Sequence, residues 1–354
     1  MRNTSTSTLR EVSEAHQGKV SDKWSSYLDE YDRLFRDFKD RAVSLLEIGV
    51  QNGGSLEIWA KYFANARYLT GCDINENCRK LTFDDPRVAV FVGDANSDAI
   101  QAAIARRIAD FDIIIDDGSH RSGDIVKSFA RYFPMLNRGG IFLAEDLHCS
   151  YWRDFEGGLF DPLSSIAFFK DLADIVNHEH WGIPEARKAL LETYAIAYGA
   201  DFAEANLAEI QSVEFLNSIC VVRKKADPGT GLGVRCRAGV SAEVFSPEQP
   251  TAGSGTVDLT SDQSSNTWSR SVLFRERAEA AGPAKEISDL NVEIGRLTRE
   301  RDERQVQLAR ALFDVSQASR QIEKLKYSLA LRESSISWKL TAPLRAIKDA
   351  LSRK

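Results

Sequence analysis

Short apolar runs alternate with helical spans through the first 225 residues, and run after run ends in an acid. Ala42–Val50 carries Glu47, Tyr68–Asp73 ends in Asp73, and Val88–Asp94 ends in Asp94. Ile113–Ile115 meets Asp116 and Asp117, and Ile141–Leu143 meets Glu145 and Asp146. Runs of this kind, bounded by Gly and polar residues, read as buried parallel strands. Between the last two, Arg121–Leu136 has room for a crossover helix, and Asn137–Gly140 reads as a turn. Neighbouring strands lie about 4.8 Å apart. A βαβ unit here therefore gathers Asp117, Glu145 and Asp146 at one sheet edge, with His120 three residues past Asp117. Open α/β sheets bind ligands at that edge. The predicted fold is α/β, a doubly wound Rossmann-like sheet.

The flanking pattern completes the organisation. Ser21–Asp40 spaces Trp24, Tyr27, Tyr31, Leu34, Phe35 and Phe38 helically, as a stripe packed on the sheet or as a flap over a cofactor. Tyr151–Gly182 is aromatic and reads as loop-rich, either an acceptor wall or core. Glu185–Tyr198 reads as a helix. Ile210–Lys225 turns at Asn217-Ser218 as a hairpin, which suits an antiparallel last strand. Periodicity is lost over 226–271, a linker with a small β element near Val234–Phe245. A three-four alternation then runs from Ile287 and Leu290 to Leu325 and Leu329, broken only by Arg301 and Arg304. Over about six heptads it predicts a coiled coil and a homo-oligomer, or else one long helix folded back on its own chain. The tail sets Trp338, Leu340, Leu344, Ile347 and Leu351 beside Lys339, Arg345, Lys348, Arg353 and Lys354. That is a basic amphipathic segment suited to an anionic membrane face or to a partner helix. The expected boundaries are 1–20 a loose arm, 21–225 the α/β domain, 226–271 linker, 272–332 coiled coil and 333–354 tail.

Composition narrows the compartment and the partners. A net charge of −6 argues against a nucleic-acid partner. Five scattered cysteines without a CxxC pair point to a reducing cytoplasm and no structural zinc. No apolar run approaches the roughly 18 residues of a membrane-spanning helix. The first residues lack an apolar signal core.

The chemistry lies at the strand ends. After the first strand comes Gln51-Asn52-Gly53-Gly54-Ser55 and then a helical run, a cradle in which backbone N–H groups approach a ligand. A dinucleotide fingerprint would need glycine at 49, 51 and 54, and position 51 is Gln. Glu47 would also repel phosphate. The set Glu47, Gly49, Gln51 and Gly53 suits a cofactor with a cationic amino-acid end, such as S-adenosylmethionine. Asp73 stands where an acid receives ribose hydroxyls, Asp94 near an adenine, and Asp116 on the cofactor side of its strand.

IDDGSH and AEDLHCSYW resemble motifs of the metal-dependent sugar O-methyltransferases that modify macrolide deoxysugars, within the class I S-adenosylmethionine-dependent methyltransferases, and of the related cephalosporin-hydroxylase-like family. The resemblance covers roughly Ser21 to Lys225. It implies magnesium held by Asp117, Glu145 and Asp146, with His120 as general base. SDKWSSY resembles the family's Asp-Lys motif, with Ser26 where a His often precedes the Tyr. The macrolide enzymes also carry an N-terminal auxiliary domain for which this chain has no room. Chemically, carboxylate oxygens suit a hard ion such as Mg²⁺, and a nearby His can accept a hydroxyl proton. His148 reads equally as lining a sugar site or as a loop hydrogen-bond partner, and the His178/His180 pair is a weak metal signal. SWKLTAPLR resembles a C-terminal segment of bacterial enzymes from surface-polysaccharide clusters. The expected function is O-methylation of a sugar hydroxyl in a surface glycan or glycolipid, by a cytoplasmic enzyme peripheral to the membrane. The alternatives are tailoring of a glycosylated natural product and a non-catalytic scaffold.

Overall fold

A computed structural model describes residues 7–229 throughout and, beyond them, scattered positions up to residue 352. It divides into two units, residues 1–288 and 289–354. In the first unit the strands are β1 (Ser44–Ile48), β2 (Tyr68–Asp73), β3 (Val88–Val92), β4 (Phe111–Asp116), β5 (Leu136–Ala144), β6 (Ile210–Leu216) and β7 (Ile219–Lys224). They form one sheet in the order β3-β2-β1-β4-β5-β7-β6. β7 runs antiparallel to both its neighbours, and the other recorded pairings are parallel.

Every residue of β1 and β4 is buried, which explains the apolar runs Leu45-Leu46 and Ile113–Ile115, with Glu47, Asp112 and Asp116 buried among them. Alternation sends Leu46, Ile114 and Phe142 to one face and Leu45, Ile113 and Ile141 to the other. The first face packs on α5 (Ser122–Tyr132) and α6 (Ser165–Val176) through Phe129, Phe168 and Phe169. The second packs on α2 (Ser25–Leu34) and α3 (Gly54–Tyr62) through Tyr31, Phe35 and Trp59. Register pairs Glu47 with Ile115, Ile48 with Asp116, and Asp116 with Ala144. The C-terminal ends of β1, β4 and β5 therefore lie side by side.

Four local readings change. The stretch read as a loose arm contains a helix, α1 (Leu9–Glu14), closed by a capping box between Thr8 and Glu11 and anchored by fully buried Leu9. Asn137–Gly140, read as a turn, belongs to β5. There β4 advances from Phe111 to Ile113 while β5 advances from Leu136 to Ile141, and Gly139 at φ 75° absorbs the excess as a bulge. The aromatic stretch after Tyr151 includes α6, whose Phe168 and Phe169 are core, whereas Trp152 and Phe160 are exposed. The span read as one helix from Glu185 to Tyr198 is a 3₁₀ turn over Arg187–Leu191 followed by an α-helix over Glu192–Tyr198.

In the second unit the described heptad positions Leu290, Leu297, Leu308, Val315, Ile322, Leu325 and Leu329 are helical and exposed. Ile287 and Ile294 lie outside the described residues, as do Trp338, Arg353 and Lys354. A helix over Ala342–Leu351 exposes Leu344, Ile347 and Leu351. Most of the linker is also outside the described residues, and the described positions within Val234–Phe245 carry no strand. Among the described residues no helix is long and apolar enough to cross a membrane.

Candidate active site

Two adjoining clefts open at the C-terminal sheet edge and share Gly49, Asp73 and Gly118. The larger, about 480 Å³, is lined by Lys23, Gln51, Asp117, His120, Glu145 and Asp146 among others. The smaller, about 190 Å³, is lined by Asp94, Asn96, Asp116 and Ser128 among others. Gly49 is essential where the strands meet. Its φ is 93°, and a Cβ there would lie 1.9 Å from the Asp117 carbonyl oxygen.

Of the cofactor-side residues, Gln51 lines the larger cleft, Asp94 and Asp116 the smaller, Gly49 and Asp73 both, and Glu47 and Gly53 neither. Glu47 is fully buried, accepts a hydrogen bond from Ser55 Oγ at 2.6 Å, and has its pKa raised by burial, with Lys23 pulling the other way. Gln51 at φ 49° and Gly53 at φ 83° form the turn into α3. Asp73 clamps that turn. Its Oδ2 accepts from the backbone N–H groups of Val50 and Gln51, both at 2.8 Å, and its Oδ1 from Asn75 at 2.8 Å. Asp94 accepts from the Asn96 N–H at 2.8 Å in the smaller cleft. Asp116 points away from Asp117 into that smaller cleft, and burial pushes its carboxyl up to about 7.

The second group converges in the larger cleft. Asp117, His120 and Asp146 each offer a ligand atom, all within 4.8 Å of one another. His120 Nε2 lies 3.5 Å from Asp146 Oδ2, and its buried Nδ1 has no hydrogen-bond partner among the described residues. His120 and Asp146 both adopt positive φ, 58° and 54°, a conformation that L residues hold only where their surroundings impose it. Glu145 is buried beside them but faces Lys23, 2.7 Å away. Burial pushes Glu145 up to about 8; Asp117 adds to the rise and Lys23 opposes it. A single ammonium thus serves Glu47, Asp117 and Glu145, and the excess negative charge with an orphaned imidazole nitrogen fits a divalent cation.

Pattern reasoning did not assign Lys23, Trp24 and Tyr27 to the site. Lys23 pairs with Asp117 and Glu145, 94 and 122 residues away in sequence. Trp24 Nε1 donates to Asp146 Oδ1 at 3.1 Å and Tyr27 Oη at 2.7 Å. The signal available was SDKWSSY itself, which the helical stripe overlaps. His148 Nδ1 meets Ser218 Oγ at 2.5 Å, and Trp24 and Trp152 flank its ring. His178 bonds the Glu185 carbonyl and His180 lies near Glu179; neither joins a metal-type cluster among the described residues.

No protein-family model matches the chain. It is 34% identical over 221 residues to the 8-demethyl-8-alpha-L-rhamnosyl tetracenomycin-C 2'-O-methyltransferase of Streptomyces olivaceus, covering 60% of this chain and 54% of that protein. It is 38% identical over 160 residues to the mycinamicin VI 2''-O-methyltransferase of Micromonospora griseorubida, covering 42% and 39%. The chain thus spans about half the length or less of the curated relatives it matches. Among solved structures, MycE methyltransferase from the mycinamycin biosynthetic pathway, in complex with Mg, SAH and mycinamycin VI, aligns with a TM-score of 0.52 at 28% identity, covering 63% of this chain and 54% of that one. The α/β domain accordingly has the class I S-adenosylmethionine-dependent methyltransferase fold and resembles the metal-dependent sugar O-methyltransferases.

Proposed function

We propose that the α/β domain transfers a methyl group from S-adenosylmethionine to a sugar hydroxyl with the help of a divalent ion such as Mg²⁺. The observation that carries this reading is the convergence of Asp117, His120 and Asp146 beside a cleft floored by the Gly49–Gly53 turn. Glu47, Gly49, Gln51, Gly53, Asp73, Asp94 and Asp116 would hold the cofactor, which supplies an electrophilic methyl. Asp117, Glu145 and Asp146 would hold the ion, which lowers the pKa of a coordinated hydroxyl. His120 accepts the hydroxyl proton as general base. Tyr27 and Trp24 fix Asp146, while Lys23 fixes Asp117 and Glu145.

The relatives named above act on rhamnosyl tetracenomycin-C and mycinamicin VI. They favour a glycosylated natural product as acceptor over the surface glycan expected from the tail. Purified protein with S-adenosylmethionine and Mg²⁺ should add one methyl to a deoxysugar glycoside, scored by mass spectrometry. Methylation of purified surface polysaccharide alone would reverse that choice. Inactivity on both would remove the sugar reading.

A second reading of His120 rests on its place in the ligand cluster. As a metal ligand, its loss would weaken Mn²⁺ binding; as the base, its loss would leave binding intact. The exposed heptads support a homo-oligomer, and the exposed basic helix supports peripheral membrane contact.

A further inference from the structure

Lys23 belongs to a strap that crosses the cofactor cradle. On one side the strap is pinned by the Gly54 N–H to the Val20 carbonyl at 3.2 Å. Lys19 adds two bonds to Glu57, from Nζ at 2.6 Å and from its backbone N–H at 2.9 Å. The fit is close enough that a Cβ on Gly54 would lie 2.3 Å from the Lys19 carbonyl oxygen. On the other side Trp24 and Tyr27 bond Asp146. Held at both ends, the Lys23 side chain is only 9% exposed and cannot swing out without opening the strap.

Its ammonium is not a general base. Three carboxylates keep it protonated, and an ammonium has no lone pair to accept a proton. What it does is occupy oxygens. It binds Oδ2 of Asp117 and Oε1 of Glu145, leaving Oδ1 and Oε2 outside these bonds. Carboxylates can grip a cation with one oxygen or two. Two acids free to use both would crowd an octahedral ion and close the positions its other oxygen ligands need.

We infer that Lys23 is a positioning residue that rations these oxygens, holding Asp117 and Glu145 to one oxygen each so that a divalent ion keeps open positions for the acceptor's hydroxyls. This rests on the metal-assisted reading above and adds to it a determinant of how many sites on the ion remain open. Three carboxylates, Glu47, Asp117 and Glu145, face one ammonium, and Asp146 lines the same cleft, so the acids outnumber the cation and an arriving dication can add to Lys23 rather than displace it.

The consequence has opposite signs in two measurements. With Lys23→Met, Oδ2 of Asp117 and Oε1 of Glu145 lose their ammonium partner and a positive charge is lost, so Mn²⁺ should bind more tightly. The number of exchangeable waters on bound Mn²⁺, read by water-proton relaxation without cofactor or acceptor, should fall. Turnover should fall about 10–100-fold, the usual effect of removing an outer partner of a metal ligand. Lys23→Arg, which keeps the charge and the donors, should restore the water count. A simple loss of folding would weaken both binding and turnover. Thermal melts and S-adenosylhomocysteine binding check the fold, and Lys23→Leu, which also lacks a donor, carries the same test if Lys23→Met does not fold. An unchanged water count and Mn²⁺ affinity in the neutral variant would overturn the inference alone. A wild-type protein that binds no Mn²⁺ would overturn the metal reading and this inference with it.

Discussion

Two regions carry the same kind of apolar stripe and meet opposite fates. In α2, Tyr27, Tyr31 and Leu34 are at most 2% exposed. Along the helical positions of the second unit, Leu297, Leu308 and Leu325 are 49%, 61% and 67% exposed. Periodicity makes an amphipathic helix in both places, but it does not name the surface that covers the stripe. The sheet covers α2 and uses it to place Tyr27 on Asp146. The heptads have no such cover among the described residues. Burying one Leu fully is worth about 1.5–3 kcal/mol, so a row of them strongly favours pairing with another helix. In the proposed reading this difference separates chemistry, placed in the first unit, from assembly, placed in the second.

The largest expected effects lie wholly in the first region. Asp117→Ala, Glu145→Ala or Asp146→Ala should abolish methyl transfer, and EDTA should do the same to the wild type. S-adenosylhomocysteine binding by calorimetry should stay nearly intact. Undiminished activity in EDTA would end the metal-assisted proposal.

His120→Ala should lose a smaller factor, about 10² to 10⁴, as for removal of a general base. Mn²⁺ affinity should hold, and a wild-type rate would exclude the assigned role.

Cutting the chain after Lys225 sharpens the comparison directly. The shortened protein should methylate a small acceptor at close to the full-length rate and elute as a monomer, whereas full-length protein should elute as an oligomer. A full-length monomer in sedimentation would leave the heptads as a lone helix.

A weaker effect is expected at the tail. Each Lys or Arg near an anionic surface contributes about 1 kcal/mol at low salt. Deleting Ser337–Lys354 should therefore abolish binding to anionic vesicles, and high salt should weaken it in the intact protein. Vesicle binding that survives the deletion would assign contact to another surface.

The smallest effect tests the cores. Burial pushes the Cys72 thiol up to about 12 and Cys149 up to about 11, so below those values both are thiols rather than reactive thiolates. At pH 8 iodoacetamide should modify exposed Cys236 quickly and buried Cys72, Cys78, Cys149 and Cys220 only after denaturation. Fast labelling of all five in the native protein would mean that the first unit opens readily.

The sequence by itself determined the sheet and the acids at its edge. A buried strand interior favours an apolar run, and acids mark where the runs Ile113–Ile115 and Ile141–Ala144 stop, although Asp116 and Glu145 themselves stay buried. Alternation also separated Asp116 from Asp117, because successive residues face opposite ways. Only the tertiary structure decided how those acids are used. Asp73, expected to meet a ribose, clamps the glycine turn through the backbone N–H groups of Val50 and Gln51, a bond pair that depends on how two loops approach. Glu145 faces Lys23 while Asp146, its neighbour, faces His120, Tyr27 and Trp24. Local pattern reports which residues are buried, because burial follows the period of the element that carries them. It cannot report that a lysine from the N-terminal strap is inserted between two strand ends, since that pairing is set by the route of the chain over the cradle.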